Sequence, residues 1–366
     1  MNPQTVERVI GMAIQVQQIP APTFSEGRRA EFIRSRFVQE NLEEIEIDAM
    51  GNVLGCLPGN GSAPPIIVSA HLDTVFPEET DLRVQQFPDK VAGPGIGDNS
   101  VGVAGLFGLL WELYDRKLEL ASDLWLVANV GEEGLGDLCG MREVVNRFAD
   151  LAQAYIILEG MALGQVYHRG LGVSRFRISV TTVGGHSWVD YGKPSAIHEL
   201  AGIVTRLLEI PISESPRTTM NVGVISGGTT INTIAAEAHM ELDLRSEDLA
   251  ELDQLVGAVN EILRDCQKPG IQVHAELIGQ RPVGEISQDH PLVALAINSL
   301  ARVGIQPRLN IGSTDANIPL SLGYPAICLG LTTGNGAHTV GEYVNISPLQ
   351  VGLEQLTLVI EGLDRG

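Results

Sequence analysis

Three apolar runs in this chain each stop at a histidine or a carboxylate, and that recurrence limits the fold more than any other feature. Residues 65–70 read Pro-Ile-Ile-Val-Ser-Ala and lead to His71 and, two positions on, Asp73; residues 124–131 lead to Glu132 and Glu133; residues 154–158 lead to Glu159. Runs this short, rich in β-branched residues, favour buried strands over helices. In open α/β sheets chemistry sits just beyond the carboxyl ends of the strands. An unpaired charge at a buried strand end is costly, so the repetition predicts that these side chains share partners at one sheet edge.

The flanking segments fit a sheet covered by helices. Residues 3–18 have helical apolar spacing up to Pro20 and Pro22, and a second helix is predicted over 26–41 with Ser25 as its N-cap. Short strands are predicted over 44–47 and 52–57, around the turn Met50-Gly51-Asn52. The turn Gly93-Pro94-Gly95-Ile96-Gly97-Asp98-Asn99-Ser100 precedes a helical pattern over 101–117, which places Asp98 at or just before a helix N-terminus. From Pro291 the same style returns, with a helix to 303, a short strand near Leu309, a short helix after Gly312-Ser313-Thr314-Asp315-Ala316, a strand over 326–329, the glycine-rich loop Thr333 to His338 and a closing helix over 349–363.

The middle differs. Strands are predicted over 173–183, 219–226, 237–245 and 271–277, several of them alternating polar and apolar residues as half-solvated antiparallel sheets do, and helices over 194–209 and 246–266. A chain of 366 residues exceeds one hydrophobic core. The expected organisation is a discontinuous outer domain of residues 1–164 and 284–366, with a smaller α/β domain, 165–283, inserted.

A net charge of -21, from 24 basic and 45 acidic residues, argues against nucleic acid or an anionic membrane as partner. The four cysteines, Cys56, Cys139, Cys266 and Cys328, lie far apart without a CxxC pair and fit a reducing compartment. The first 18 residues hold no uninterrupted signal-peptide core, and the longest apolar run, 101–111, is too short for a bilayer core of about 30 Å. A cytoplasmic location is expected.

His71, Asp98, Glu132, Glu133, Glu159 and His338 are candidates to converge at one sheet edge.

 Among these candidates (His71, Asp98, Glu132, Glu133, Glu159 and His338), two histidines with three or four carboxylates match what zinc, or a borderline divalent metal like it, takes as ligands. The count favours two ions: two dications carry four charges, which three carboxylates and one bridging hydroxide balance. Such a pair needs a carboxylate between the ions, about 3.5 to 4 Å apart, and Asp98, on a turn, is free to face both. Each residue alone is ordinary, since a lone strand-end histidine is more often structural and paired glutamates are usually solvated. The glycine-rich loop before Asp98 also invites an NAD-binding oxidoreductase, but the dinucleotide fingerprint needs glycine where Asp98 stands. A serine hydrolase lacks its Gly-x-Ser-x-Gly elbow.

The strand-end His-Leu-Asp-Thr-Val (71–75), Gly-x-Gly-x-Gly-Asp-Asn (93–99), Gly-Glu-Glu-Gly (131–134), the lone Glu159, Gly-Gly-His-Ser (184–187) and Gly-Ala-His-Thr (336–339) occur in one order along the chain. In this the sequence resembles the di-zinc family of tripeptidase T, glutamate carboxypeptidase, acetylornithine deacetylase and succinyl-diaminopimelate desuccinylase. The resemblance implies a zinc-exopeptidase-like α/β catalytic domain, a mixed sheet flanked by helices, with the inserted α/β sandwich acting as lid and dimerisation domain. It makes Asp98 the bridging ligand, His71 and Glu159 the other ligands of one ion, and Glu133 and His338 those of the second. Glu132 becomes the general base that takes a proton from the bridging water, and Asp73 a carboxylate that orients His71, as a ligand imidazole's other N–H usually requires.

Adjacent residues of a regular strand face opposite ways, so the chain must leave strand geometry for Glu132 and Glu133 both to reach the ions. The resemblance further implies that His186 stabilises the oxyanion, often in the neighbouring subunit's site, and that Arg245 binds a substrate carboxylate with Asn232 as a polar helper; the bland expectation for Arg245 is an ion pair with a local acid such as Glu247 or Asp248. Zinc is the default metal, with cobalt or manganese compatible. Every candidate position is filled, which argues against a non-catalytic binding module. The deacetylase and desuccinylase branches usually carry Arg-Gly before and Met-Lys after the bridging aspartate, whereas Gly95-Ile96-Gly97-Asp98-Asn99-Ser100 is closer to the tripeptidase-like branch. The implied reaction is hydrolysis of an amide bond in small peptides, with N-acyl amino acids as the alternative substrates, by a homodimer formed through the inserted domain.

Overall fold

The computed structural model describes residues 3–365 and divides into two compact units, one running to Gly170 and resuming at Gly284, the other Leu171–Val283. In the first, nine strands form a mixed sheet. Its order is Glu43–Ile47, Val53–Leu57, Ser122–Asn129, Ala63–His71, Ala154–Glu159, Ala326–Gly330, Gln165–Gly170 and Gly284–Glu285, with Arg308–Gly312 also paired to Gln165–Gly170. The four strands Ser122–Asn129, Ala63–His71, Ala154–Glu159 and Ala326–Gly330 run parallel. Their carboxyl ends therefore share one edge, with His71 opposite Asn129 and Glu159 opposite Gly330.

The apolar runs behave as continuous buried strands because helices cover the sheet. Ile66, Ile67 and Val68 are all buried, each contributing about 1.5–3 kcal/mol relative to exposure. The helix Val101–Arg116 is buried from Val101 to Leu113. Its glycines permit that: a Cβ on Gly105 would stand 2.1 Å from Leu331, and one on Gly108 2.7 Å from Leu353. The helices Pro3–Gln17 and Ser347–Asp364 join the same core.

The second unit has its own core. Its four-stranded antiparallel sheet runs in the order Thr218–Gly227, Glu237–Ser246, Gly172–Thr182, Ile271–Arg281. The helices Ala196–Leu207 and Leu249–Asp265 pack on it through Leu200, Ile203, Leu252 and Val259. Along Glu237–Ser246 every second residue is buried, the half-solvated pattern that its alternation predicts.

Three local expectations are corrected. Gln165–Gly170, read as the start of the insertion, is a strand of the large sheet; it buries only alternate residues, so it looks like the half-solvated strands that follow. Ser25 does not cap the second helix: Gly27–Gln39 starts after Glu26, and Ser25 donates its N–H to Pro22 within the preceding turn. Arg245 does pair with a local acid, but that acid is Asp243 rather than Glu247 or Asp248, with the Arg245 Nε 2.7 Å from Oδ2. Residues two apart on a strand share a face, whereas Asp248 caps the next helix by accepting the Glu251 N–H.

Candidate metal centre

His71 ends its strand 1% exposed, with Nε2 3.1 Å from Asp98 Oδ1 and 4.0 Å from Glu159 Oε2. Asp98 lies in the tight turn Ile96–Ser100, where φ -114° and ψ 89° take it out of helical geometry, and the peptide to Asn99 is cis. Its second oxygen is 3.1 Å from His338 Nε2. One carboxylate thus faces a histidine with each oxygen. His338 comes from the glycine-rich loop, at φ 64°, and its Nε2 is also 3.2 Å from Glu133 Oε1.

Glu132 and Glu133 are both buried, and the chain does leave strand geometry before them. The strand ends at Asn129, and Gly131 adopts φ +69° with Cys139 so close that a Cβ would stand 2.4 Å from its sulfur. Asp73, fully buried, fixes the result: its carboxylate accepts the N–H groups of Glu132 and Glu133 at 3.0 and 2.9 Å and the Thr23 hydroxyl at 3.0 Å. His71 Nδ1 lies 3.1 Å from the Asp73 carbonyl and 3.5 Å from its carboxylate. Asp73 therefore orients the imidazole chiefly through its backbone oxygen, and holds the two glutamates with its side chain.

The electrostatics are those of an acid array in need of cations. Burial and the Asp98 charge push the Glu133 carboxyl up to about 7. Burial, countered by His71 and reinforced by Asp98, pushes Glu159 up to about 8. Burial would raise Asp98 too, but contact with His338 and His71 pulls it well below the usual carboxylate range. Contact with Asp98 holds the His338 imidazolium up to about 9, and although burial disfavours a charged His71, Asp73 and Asp98 keep it well above its ordinary value. His71 Nε2 and Glu133 Oε1 are buried atoms without a hydrogen bond. With Asp98 they place ligand atoms within 4.8 Å of one another. Imidazole and carboxylate donors in that arrangement fit divalent metal.

His186, Asn232 and Arg245 belong to the second unit. The short strand Gly185–His186 pairs with Thr233–Ile234, and Ser187 donates its N–H to the Asn232 carbonyl at 3.0 Å, so His186 and Asn232 are neighbours. His186 Nδ1 accepts the N–H groups of Trp188 and Val189 at 3.2 and 3.3 Å, which leaves the ring proton on the exposed Nε2. Arg245 Nε is held by Asp243, which Arg175 also meets at 2.9 Å. Sequence reasoning missed Glu342, buried four residues after His338 and accepting the Asp98 N–H at 2.8 Å. Nothing local separates it from a solvated loop acid; only its distant partners mark it.

Residues 52–166 match peptidase family M28, and residues 168–270 match the peptidase dimerisation domain of the M20 group. The chain therefore carries peptidase-family domains of both kinds. It is a peptidase-family hydrolase with the dimerisation domain inserted in the mixed-sheet domain. A Bacillus subtilis relative, YqjE, is 23% identical over 97% of this chain and 98% of its own length. An Aspergillus clavatus protein described as a probable carboxypeptidase is 28% identical over 63% of this chain, which spans only 60% of that relative. Among solved structures, a Staphylococcus aureus tripeptidase shares the fold with a TM-score of 0.84, at 20% identity over 99% of both chains. Among the described residues no helix is long and apolar enough to cross a membrane.

Proposed function

We propose that this chain is a two-metal exopeptidase that hydrolyses the amide bond of small peptides. The observation that carries the reading is Asp98, whose two oxygens each lie 3.1 Å from a nitrogen of a different histidine. His71 and Glu159 would complete one ion's ligands, and His338 and Glu133 the other's. The chemistry supplied by such a pair is polarisation of the scissile carbonyl and a lower pKa for the attacking water. Zinc is the first choice, with cobalt or manganese able to take the same donors.

Glu132 is the carboxylate left over once the ligands are assigned, and its backbone is pinned by the Asp73 that pins Glu133. It acts as general base, taking the water's proton and returning it to the leaving amine. The Asp73 hydrogen bonds keep Glu132 and His71 oriented for this. In the second unit, His186 offers its Nε2–H to the developing oxyanion, and Arg245, steadied by Asp243, offers its guanidinium to the substrate carboxylate with Asn232 beside His186. The match to a dimerisation domain supports a homodimer through this unit, and four free cysteines support a cytoplasmic setting.

Metal analysis followed by a screen of dipeptides, tripeptides and N-acyl amino acids tests the reading. Turnover of peptides with metal bound is expected; turnover of N-acyl amino acids alone would replace it with a deacylase. His186→Ala is expected to lower kcat about 10²- to 10³-fold. Mixing it with Asp98→Ala is expected to restore part of the activity, as a histidine acting across a dimer requires; no rescue would confine His186 to its own chain. Arg245→Ala is expected to raise KM for substrates with a free carboxylate, and an equal effect on carboxylate-free analogues would remove its assigned role.

A further inference from the structure

We infer that Glu342 is a positioning residue that shapes the turn bearing Asp98 and locks it to the loop bearing His338. The inference rests on the metal-site reading above. Glu342 is fully buried and directly precedes the strand Tyr343–Asn345, which pairs with Lys90–Ala92, the segment leading into the Asp98 turn. Its carbonyl accepts the Gly93 N–H at 2.8 Å. Its carboxylate accepts three more: Gly95 at 3.2 Å on Oε2, and Gly97 at 2.5 Å and Asp98 at 2.8 Å on Oε1.

Four N–H groups from six consecutive positions therefore end on one residue. The turn has no regular way to satisfy them, because Gly95 sits at φ +72° and Asp98 leaves the helical region. Burying a second carboxylate beside Asp98 is costly, and the convergent amides recover part of that cost by hydrogen-bonding its charged form. The same residue lies four positions after His338. The separation of Asp98 from His338 is thus set by a short piece of chain anchored at both ends, and a ligand held to a fixed geometry binds metal more tightly than one that must be ordered on binding.

A glutamine at this position keeps one acceptor for Gly97 and Asp98 but turns an amide N–H toward that of Gly95. Zinc titration of the intact chain against a competing chelator is expected to show about 10- to 100-fold weaker binding of at least one ion in Glu342→Gln, the range found when groups supporting metal ligands are altered. The visible spectrum of the cobalt-loaded variant is expected to shift as well. Asp364→Ala is the control: Asp364 Oδ1 accepts the Ala121 and Ser122 N–H groups at 2.7 and 2.8 Å, so its loss should lower the thermal midpoint without moving metal affinity or spectrum.

Wild-type affinity and spectrum in Glu342→Gln would overturn the inference, as would an equal loss of affinity in both variants. If the glutamine variant does not fold, Glu342→Asp, one methylene shorter, decides by the same criteria. A parent protein that binds no metal would instead bring down the metal-site reading itself.

Discussion

Glu132→Gln is expected to lower kcat by about 10²- to 10⁴-fold, the usual contribution of a general base, while metal content stays at the parent value. The amide is nearly the same size as the carboxylate, and the backbone bond from the Glu132 N–H to Asp73 at 3.0 Å does not depend on the side chain. The fold and the ligand set are therefore expected to survive the change, with loss of the proton acceptor. Steady-state kinetics with metal analysis on the same sample checks both halves. Parent-like turnover would show that Glu132 is not the base, and a loss of metal would make it a ligand.

Removing the metal is expected to abolish hydrolysis, and returning zinc, cobalt or manganese to restore it. The metal-free array binds protons in the metal's place, with Glu133 at about 7, Glu159 at about 8 and His338 at about 9. These raised values mean that the groups hold protons at neutral pH that metal must displace. Apparent affinity should accordingly rise as pH increases from about 7 to about 9, and metal uptake in weak buffer should acidify the solution. Activity that persists after exhaustive chelation would refute the two-metal mechanism.

The placement of those candidate-site residues that lie on buried parallel strands was legible in the sequence. His71 and Glu159 close runs so apolar that their polar ends had to face something other than core, and the sheet places both at one edge. The departure from strand geometry at Gly131 followed from the need to turn two adjacent glutamates the same way. Glu342 was not legible, because its function is written in N–H groups more than 240 residues away and its own neighbourhood is an ordinary loop. Gln165–Gly170 misled because a strand near the margin of the large sheet buries one face, as the inserted sheet's strands do. The helix Cys139–Phe148 buries Met141, Val144, Val145 and Phe148, a helical stripe that stayed hidden behind the glycine-rich turn before it.

The ladder between Gln165–Gly170 and Gly284–Glu285 pairs Gly170 directly with Gly284. The chain thus departs for its second unit and comes back on adjacent strands, about 5 Å apart. Seen from the large sheet, everything between those two glycines is an oversized hairpin loop. A tight β-turn would bridge the same gap, so modules of quite different size can be exchanged at this junction through evolution or engineering without disturbing the register of the strands that carry His71 and Glu159.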